Sequence, residues 1–125
     1  MTMLLDSNLI IYASRPQHAA LRTFMAREAP SVSAVSRVET LGYHALTETE
    51  RQFLQEFFEA AIVLPVSQSV IAKAIQLRQE RPMSLGDALI GGTALNHDLR
   101  LATHNTEDFE WIERLEVIDP LAGEH

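Results

Sequence analysis

Apolar positions along this chain follow two periods. Short runs at Met3-Leu4-Leu5, Ser31-Val32-Ser33, Ala61-Ile62-Val63-Leu64-Pro65-Val66, Arg100-Leu101-Ala102-Thr103 and Glu116-Val117-Ile118 are bounded by capping or turn residues and read as strands. The run from Ala61 to Val66 is uninterrupted, the mark of a strand covered on both faces. Between these runs the spacing turns helical. A short helix is expected over Leu9–Ala13, opened by the capping groups of Asp6-Ser7-Asn8 and broken by Pro16. An amphipathic helix is expected from His18 to Ala29, using Ala20, Leu21, Phe24 and Met25 and ended by Pro30. Val35, Val38, Gly42, Ala45 and Leu46 form one apolar stripe with Glu39 inside it. Thr47 and Glu50 stand at capping-box spacing before a helix that buries Phe53, Leu54, Phe57 and Phe58. Ser69 to Glu80 repeats the pattern with Val70, Ile71, Ala74, Ile75 and Leu77, and Thr106 to Trp111 predicts a helical turn.

The stretch Ala88–Asn96 breaks the amphipathic rule, having no charge on any side, which places that helix in the core. Asp87 opens it, so its carboxylate stands where core meets solvent. Gly91-Gly92 lies mid-helix and permits close packing. Strands alternating with helices predict an α/β domain with a mainly parallel sheet and helices on both faces. With no linker, repeat or second core, one domain over residues 1–125 is expected.

Composition narrows the function. The 125 residues are 46% hydrophobic, enough for one core, and contain no cysteine, which excludes disulfides and thiolate metal sites. No apolar stretch nears the roughly 18 residues that span a bilayer, and the opening residues carry no basic start or cleavage site. A soluble cytoplasmic chain with no membrane association is expected. The net charge of −7, with Lys73 the only lysine and the arginines dispersed, argues against a protein that coats nucleic acid by neutralising phosphates. An acidic chain still acts on nucleic acid when bound cations supply the charge, and it attracts basic protein partners.

Sites in open parallel sheets form beyond the carboxyl ends of the strands. Asp6 follows the first strand, Glu39 the second, Asp87 opens the buried helix, and Asp108 follows the fourth strand beside Thr103 and Asn105. With right-handed connections these segments converge at one edge. Each acid has a structural alternative. Asp6 reads as an N-cap. Ser36-Arg-Val-Glu39 and Ser84-Leu-Gly-Asp87 match the capping box, and Asp108 suits the start of a short helix. Together, carboxylates in one crevice repel unless cations lie between them, and Mg²⁺ or Mn²⁺ prefers such all-oxygen ligands. His97 and His104 fall near the same edge without zinc spacing; His18, His44 and His125 read as surface residues. There is no Gly-x-Ser-x-Gly turn and no phosphate-cradling glycine loop. Two ions roughly 4 Å apart in a carboxylate nest suit phosphodiester hydrolysis without a protein nucleophile.

Leu4-Leu-Asp-Ser-Asn-Leu-Ile10 resembles the opening motif of PIN-domain nucleases, specifically VapC-like toxins of bacterial toxin–antitoxin pairs. Ser33-Ala-Val-Ser-Arg-Val-Glu39 resembles their second motif and Asp87-Ala-Leu-Ile-Gly-Gly-Thr-Ala-Leu95 their third. Leu101-Ala-Thr-His-Asn-Thr-Glu-Asp-Phe109, followed by Leu115-Glu-Val-Ile-Asp-Pro120, resembles the closing segment. The resemblance spans nearly the whole chain in order. It implies a PIN-like three-layer α/β/α sandwich of about five strands and a Mg²⁺- or Mn²⁺-dependent endoribonuclease with Asp6, Glu39, Asp87 and Asp108 as the catalytic, metal-holding quartet. Asp6 and Asp87 are the direct ligands by this likeness. The family places its final acid either where Asn105 stands or where Asp108 stands, and Thr103 and Asn8 are possible supports. His104 stands where arginine is commoner. The likeness further implies an RNA substrate, a small antitoxin partner and a homodimer.

Two readings compete with the nuclease. One is a non-catalytic PIN-like RNA- or protein-interaction module whose acids serve only as caps. The other is a phosphotransfer domain, but Asn8 occupies the place of its second aspartate and Lys73 falls within a helix.

Overall fold

The structure, a computed structural model, describes residues 3–122; His125 lies outside them. Strands β1 (Met3–Leu5), β2 (Val32–Ser33), β3 (Val63–Leu64), β4 (Arg100–Ala102) and β5 (Val117–Ile118) alternate with helices α1 (Ser7–Ala13), α2 (Ala19–Glu28), α3 (Ala34–Leu41), α4 (Glu48–Ala60), α5 (Gln68–Glu80) and α6 (Leu85–Asn96). β1 pairs with β4 and β4 with β5, all parallel, while β2 pairs in parallel with β3. A parallel bridge between Leu4 and Ser31 joins the three-stranded and two-stranded parts. It is held by Leu5 N–H to the Ser31 carbonyl and Ser31 N–H to the Met3 carbonyl. The spatial order is therefore β3-β2-β1-β4-β5.

Strand alternation divides the core into two layers, because successive side chains leave opposite faces of the sheet. Met3, Leu5 and Ala102 point to one face and pack with Leu9, Ile10, Leu21, Leu54 and Phe58 from α1, α2 and α4. Leu4 and Leu101 point to the other and pack with Leu77, Ile90, Ala94 and Phe109, on the side of α5 and α6. Helices thus cover both faces, as the alternating pattern predicts. α6 is buried at Ala88 and from Ile90 to Ala94, and Gly92 is the reason α5 lies so close. A Cβ there would stand 2.9 Å from the Val70 carbonyl oxygen and 3.1 Å from the Ala74 nitrogen.

Four expectations are corrected. The 61–66 run yields only β3, an edge strand with Ile62 64% exposed, because no strand pairs with its outer side. The apolar stripe assigned to α3 does not face inward: Val38 is 74% exposed, Ala45 lies beyond the helix, and the buried positions are Ser36 and Thr40. On α5 the buried face is Val70, Ala74 and Leu77, leaving Ile71 and Ile75 outward. His18 is half-buried, stacked on the Tyr12 ring with centroids 5.3 Å apart; His44 is exposed. The Thr47–Glu50 capping box is present with both hydrogen bonds. Among the described residues no helix is long and apolar enough to cross a membrane.

Candidate active site

Asp6 ends β1, and its backbone N–H donates to the Ala102 carbonyl, which puts it level with the end of β4. The side chain is buried, 4% of the residue remaining exposed. One oxygen, Oδ1, accepts from the Ser7 N–H at 2.8 Å, so Asp6 is the N-cap of α1 as its position predicts. The other, Oδ2, accepts from the Thr103 hydroxyl at 2.7 Å. Thr103 Oγ1 in turn accepts from the Asn105 N–H at 3.0 Å, which ties the β4 loop to the same point. Burial pushes the Asp6 carboxyl up to about 6 although both hydrogen bonds pull it down, and the Asp87 and Glu39 carboxylates add to the rise.

Glu39 reaches this point from α3. Ser33 caps that helix by accepting from the Val35 N–H, so Ser36 lies inside it and the capping-box reading of Ser36 and Glu39 does not hold. The Ser36 hydroxyl lies 2.8 Å from Ser7 Oγ, and Ser7 Oγ donates to Glu39 Oε1 at 2.7 Å. Ser7 has one hydroxyl proton and a carboxylate only accepts, so the relay runs from Ser36 through Ser7 to Glu39. The second oxygen of Glu39 rests against the backbone of Gly86, where a Cβ would stand 2.3 Å from Oε2. Any other residue at position 86 would displace the carboxylate.

Asp87 enters from the first turn of α6. Ser84 caps that helix, accepting from the Asp87 N–H at 3.1 Å. The half-buried Asp87 carboxyl is raised first by burial and then by the charge of Asp108, the Ser84 hydroxyl works against these, and Glu39 raises it further. Asp108 is exposed on the 3-10 turn Thr106–Asp108 and faces Asp87 across a small cavity.

The fold thus brings Asp6, Glu39 and Asp87 into one another's field from three elements, with Asp108 acting on Asp87 alone. Asn105 is half-buried at the start of the turn, and Asn8 is exposed on α1 with no side-chain hydrogen bond to the acids. His97 follows the far end of α6, some 15 Å of helix from Asp87, so it lies at the opposite edge from the acids, contrary to expectation. His104 follows Thr103, its Nδ1 3.1 Å from Asp119 Oδ2, and meets Tyr12 edge-on. Ser7, Ser36 and Gly86 were not singled out as site residues. The signal for Ser36 is a stripe of small polar residues, Ser33, Ser36 and Thr40, at helical spacing where an inward face should be apolar; Ser7 and Gly86 have no such signal.

Among the described residues none of the four carboxylates is ion-paired with Lys, Arg or His, and no three acidic or histidine side chains are gathered tightly enough to hold a metal ion. The donor set still fits a hard divalent cation: all oxygen, mutually repelling, and held by neutral hydroxyls and amides rather than cations. Asp6 is the fixed member of the set, both its oxygens accepting hydrogen bonds.

The model of the PIN domain family matches residues 3–115. The chain is 30% identical over 111 residues to Ribonuclease VapC22 of Mycobacterium tuberculosis, covering 82% of this chain and 85% of that protein. Among solved structures it resembles a toxin-antitoxin complex from Klebsiella pneumoniae (26% identity, TM-score 0.78, 95% of this chain and 98% of the other). It also resembles FitAcB from Neisseria gonorrhoeae (27% identity, TM-score 0.76, 97% and 99%).

Proposed function

This chain belongs to the PIN-domain family, beside its VapC-like members, and from that premise we propose a divalent-metal-dependent endoribonuclease, the toxin of a toxin–antitoxin pair. The observation that carries the reading is the trio Asp6, Glu39 and Asp87, held within one another's field and, among the described residues, ion-paired with no Lys, Arg or His. Mg²⁺ or Mn²⁺ would be held by Asp6 and Asp87, with Glu39 and Asp108 completing the set. Bound there, it supplies a water of lowered pKa and neutralises charge on the leaving oxygen.

The chain's own residues supply order. Thr103 and the Ser7 N–H lock Asp6 in one orientation, so the first ligand costs no rotamer freedom on binding. The Ser36–Ser7 relay aims Glu39, and Gly86 leaves the space that Glu39 occupies. Raised carboxyls at Asp6 and Asp87 release protons when a cation binds, so affinity for the ion rises with pH through about 6 and levels off above it.

As partner we propose a small antitoxin. The apolar groove lined by Met25, Phe53, Phe57, Ala61 and Ile62 fits an apolar segment of it, and the charge of −7 fits a basic one. Exposed Val38, Ile71, Ile75 and Leu85 offer surface for a second copy. The test is calorimetric titration of Mg²⁺ and Mn²⁺ into wild type and Asp6→Asn, each then assayed on RNA. Binding and cleavage lost together in the variant support the reading. A folded wild type that binds neither ion overturns it in favour of the non-catalytic module.

A further inference from the structure

Beside the carboxylates, the α5–α6 junction and the turn after β4 enclose a cavity of about 160 Å³ that the metal reading leaves unused. That is below the usual range for small-molecule pockets and suits a single flat group. Its walls include Arg81, Met83, Asp87, Glu107, Asp108 and Trp111. Asp87 and Asp108 belong to the proposed site, so a group in this cavity touches the reaction centre.

Two features make this wall a recognition surface. Trp111 donates its indole N–H to the Asp108 carbonyl at 3.0 Å and packs against the core layer of Leu77, Ile90 and Phe109, which fixes the ring. The exposed Arg81 guanidinium lies over that ring, 5.5 Å from its centroid. The three carboxylates repel phosphate and, being acceptors, suit the N–H edge of a base. An exposed cation–π pair is worth roughly two- to fivefold in an equilibrium, whereas a base stacked on an aromatic ring is worth roughly five- to 150-fold. A base therefore displaces the guanidinium, and the flexible arginine is freed for the backbone.

We propose that this cavity is the subsite for the RNA nucleotide flanking the cleaved bond, its base stacked on Trp111 and its phosphate met by Arg81. The assignment rests on the ribonuclease reading. Trp111 and Arg81 are positioning residues for substrate.

Trp111 is the sole tryptophan, so its fluorescence reports the subsite directly. Asp6→Asn protein, altered outside the cavity, is titrated with short oligoribonucleotides A, C and U. Wild type, Trp111→Phe, Trp111→Ala and Arg81→Gln are compared for kcat and KM on a cleaved RNA, with circular dichroism as the fold check. Saturable quenching is expected. KM should rise roughly five- to 150-fold in Trp111→Ala, with Trp111→Phe largely rescued and Arg81→Gln raised and less salt-dependent. Unchanged fluorescence at RNA concentrations that saturate cleavage by wild type overturns the subsite, as does unchanged KM in folded Trp111→Ala and Arg81→Gln. Quenching by RNA with no cleavage of any RNA tested by wild type in Mg²⁺ or Mn²⁺ would leave a nucleotide-binding cavity and overturn its place beside a cleaved bond.

Discussion

Replacing Asp6 by Asn should make the metal-free protein more stable while removing the proposed metal ligand. Asp6 is buried, and its carboxyl is raised from 3.8 to about 6. Between those two pH values the folded chain keeps a proton that the unfolded chain has released. Stability therefore falls as pH rises through this window and is level above it. The full difference corresponds to about 3 kcal/mol. Asn has nearly the shape of the protonated acid, and the Thr103 hydroxyl can turn to accept from its amide, so the variant escapes the loss. In EDTA, urea unfolding should show Asp6→Asn ahead by about 3 kcal/mol at pH 7.5, with the gap closing toward pH 4. Mg²⁺ at about 1,000 times its Kd should reverse the order, because it adds about 4.1 kcal/mol to wild type alone. A variant no more stable than wild type at pH 7.5 in EDTA, or a gap independent of pH, would refute the argument that Asp6 is a desolvated carboxylate awaiting a cation.

Gly86→Ala improves helix propensity by about 1 kcal/mol yet places a Cβ against Glu39 Oε2. We expect an unchanged or higher melting temperature together with a loss of divalent-ion affinity of about tenfold or more by calorimetry. Ser7→Ala cuts the relay and leaves the buried Ser36 hydroxyl without its partner, costing about 1–3 kcal/mol in urea unfolding and weakening ion binding in parallel. Gly92→Ala meets the backbone of α5, which cannot swing aside as a side chain can. A thermal melt should show about 1–3 kcal/mol of destabilisation with ion affinity intact.

The elements were legible where one side chain's surroundings follow from its neighbours in sequence. β1 reads as buried because Met3, Leu4 and Leu5 are apolar in succession, and Asp6 then marks the strand end. The caps at Ser84 and Thr47 are local chemistry and were found. What failed depends on tertiary neighbours. Nothing in Ala61–Val66 says whether a strand lies on its far side, so an edge strand looked central. The apolar stripe puts Glu39 on an inward apolar face, but Val38 faces solvent and Ser36 and Thr40 face the core; Ser36 meets the Ser7 hydroxyl there, and Thr40 donates to the Ser36 carbonyl. His97 shared an edge with His104 only on paper, since a whole helix separates it from Asp87. Ile71 and Ile75 fit the α5 period but lie beside the buried stripe rather than on it.

The Asp6–Thr103 hydrogen bond spans 97 residues of chain, and that separation sets a schedule. β1 lies between β2 and β4, so the strand synthesised first waits for one synthesised near the last. At roughly 5–20 residues per second a ribosome needs about 5 to 20 s to cover the gap. Until then Asp6 lacks the hydroxyl that orients it. A nascent chain stopped short of Thr103 should carry three of the four acids and still fail to bind the ion with full-length affinity. On the ribosome, then, the chain stays without a complete carboxylate site until Thr103 has emerged, and only the nearly finished molecule holds Asp6 in its final orientation.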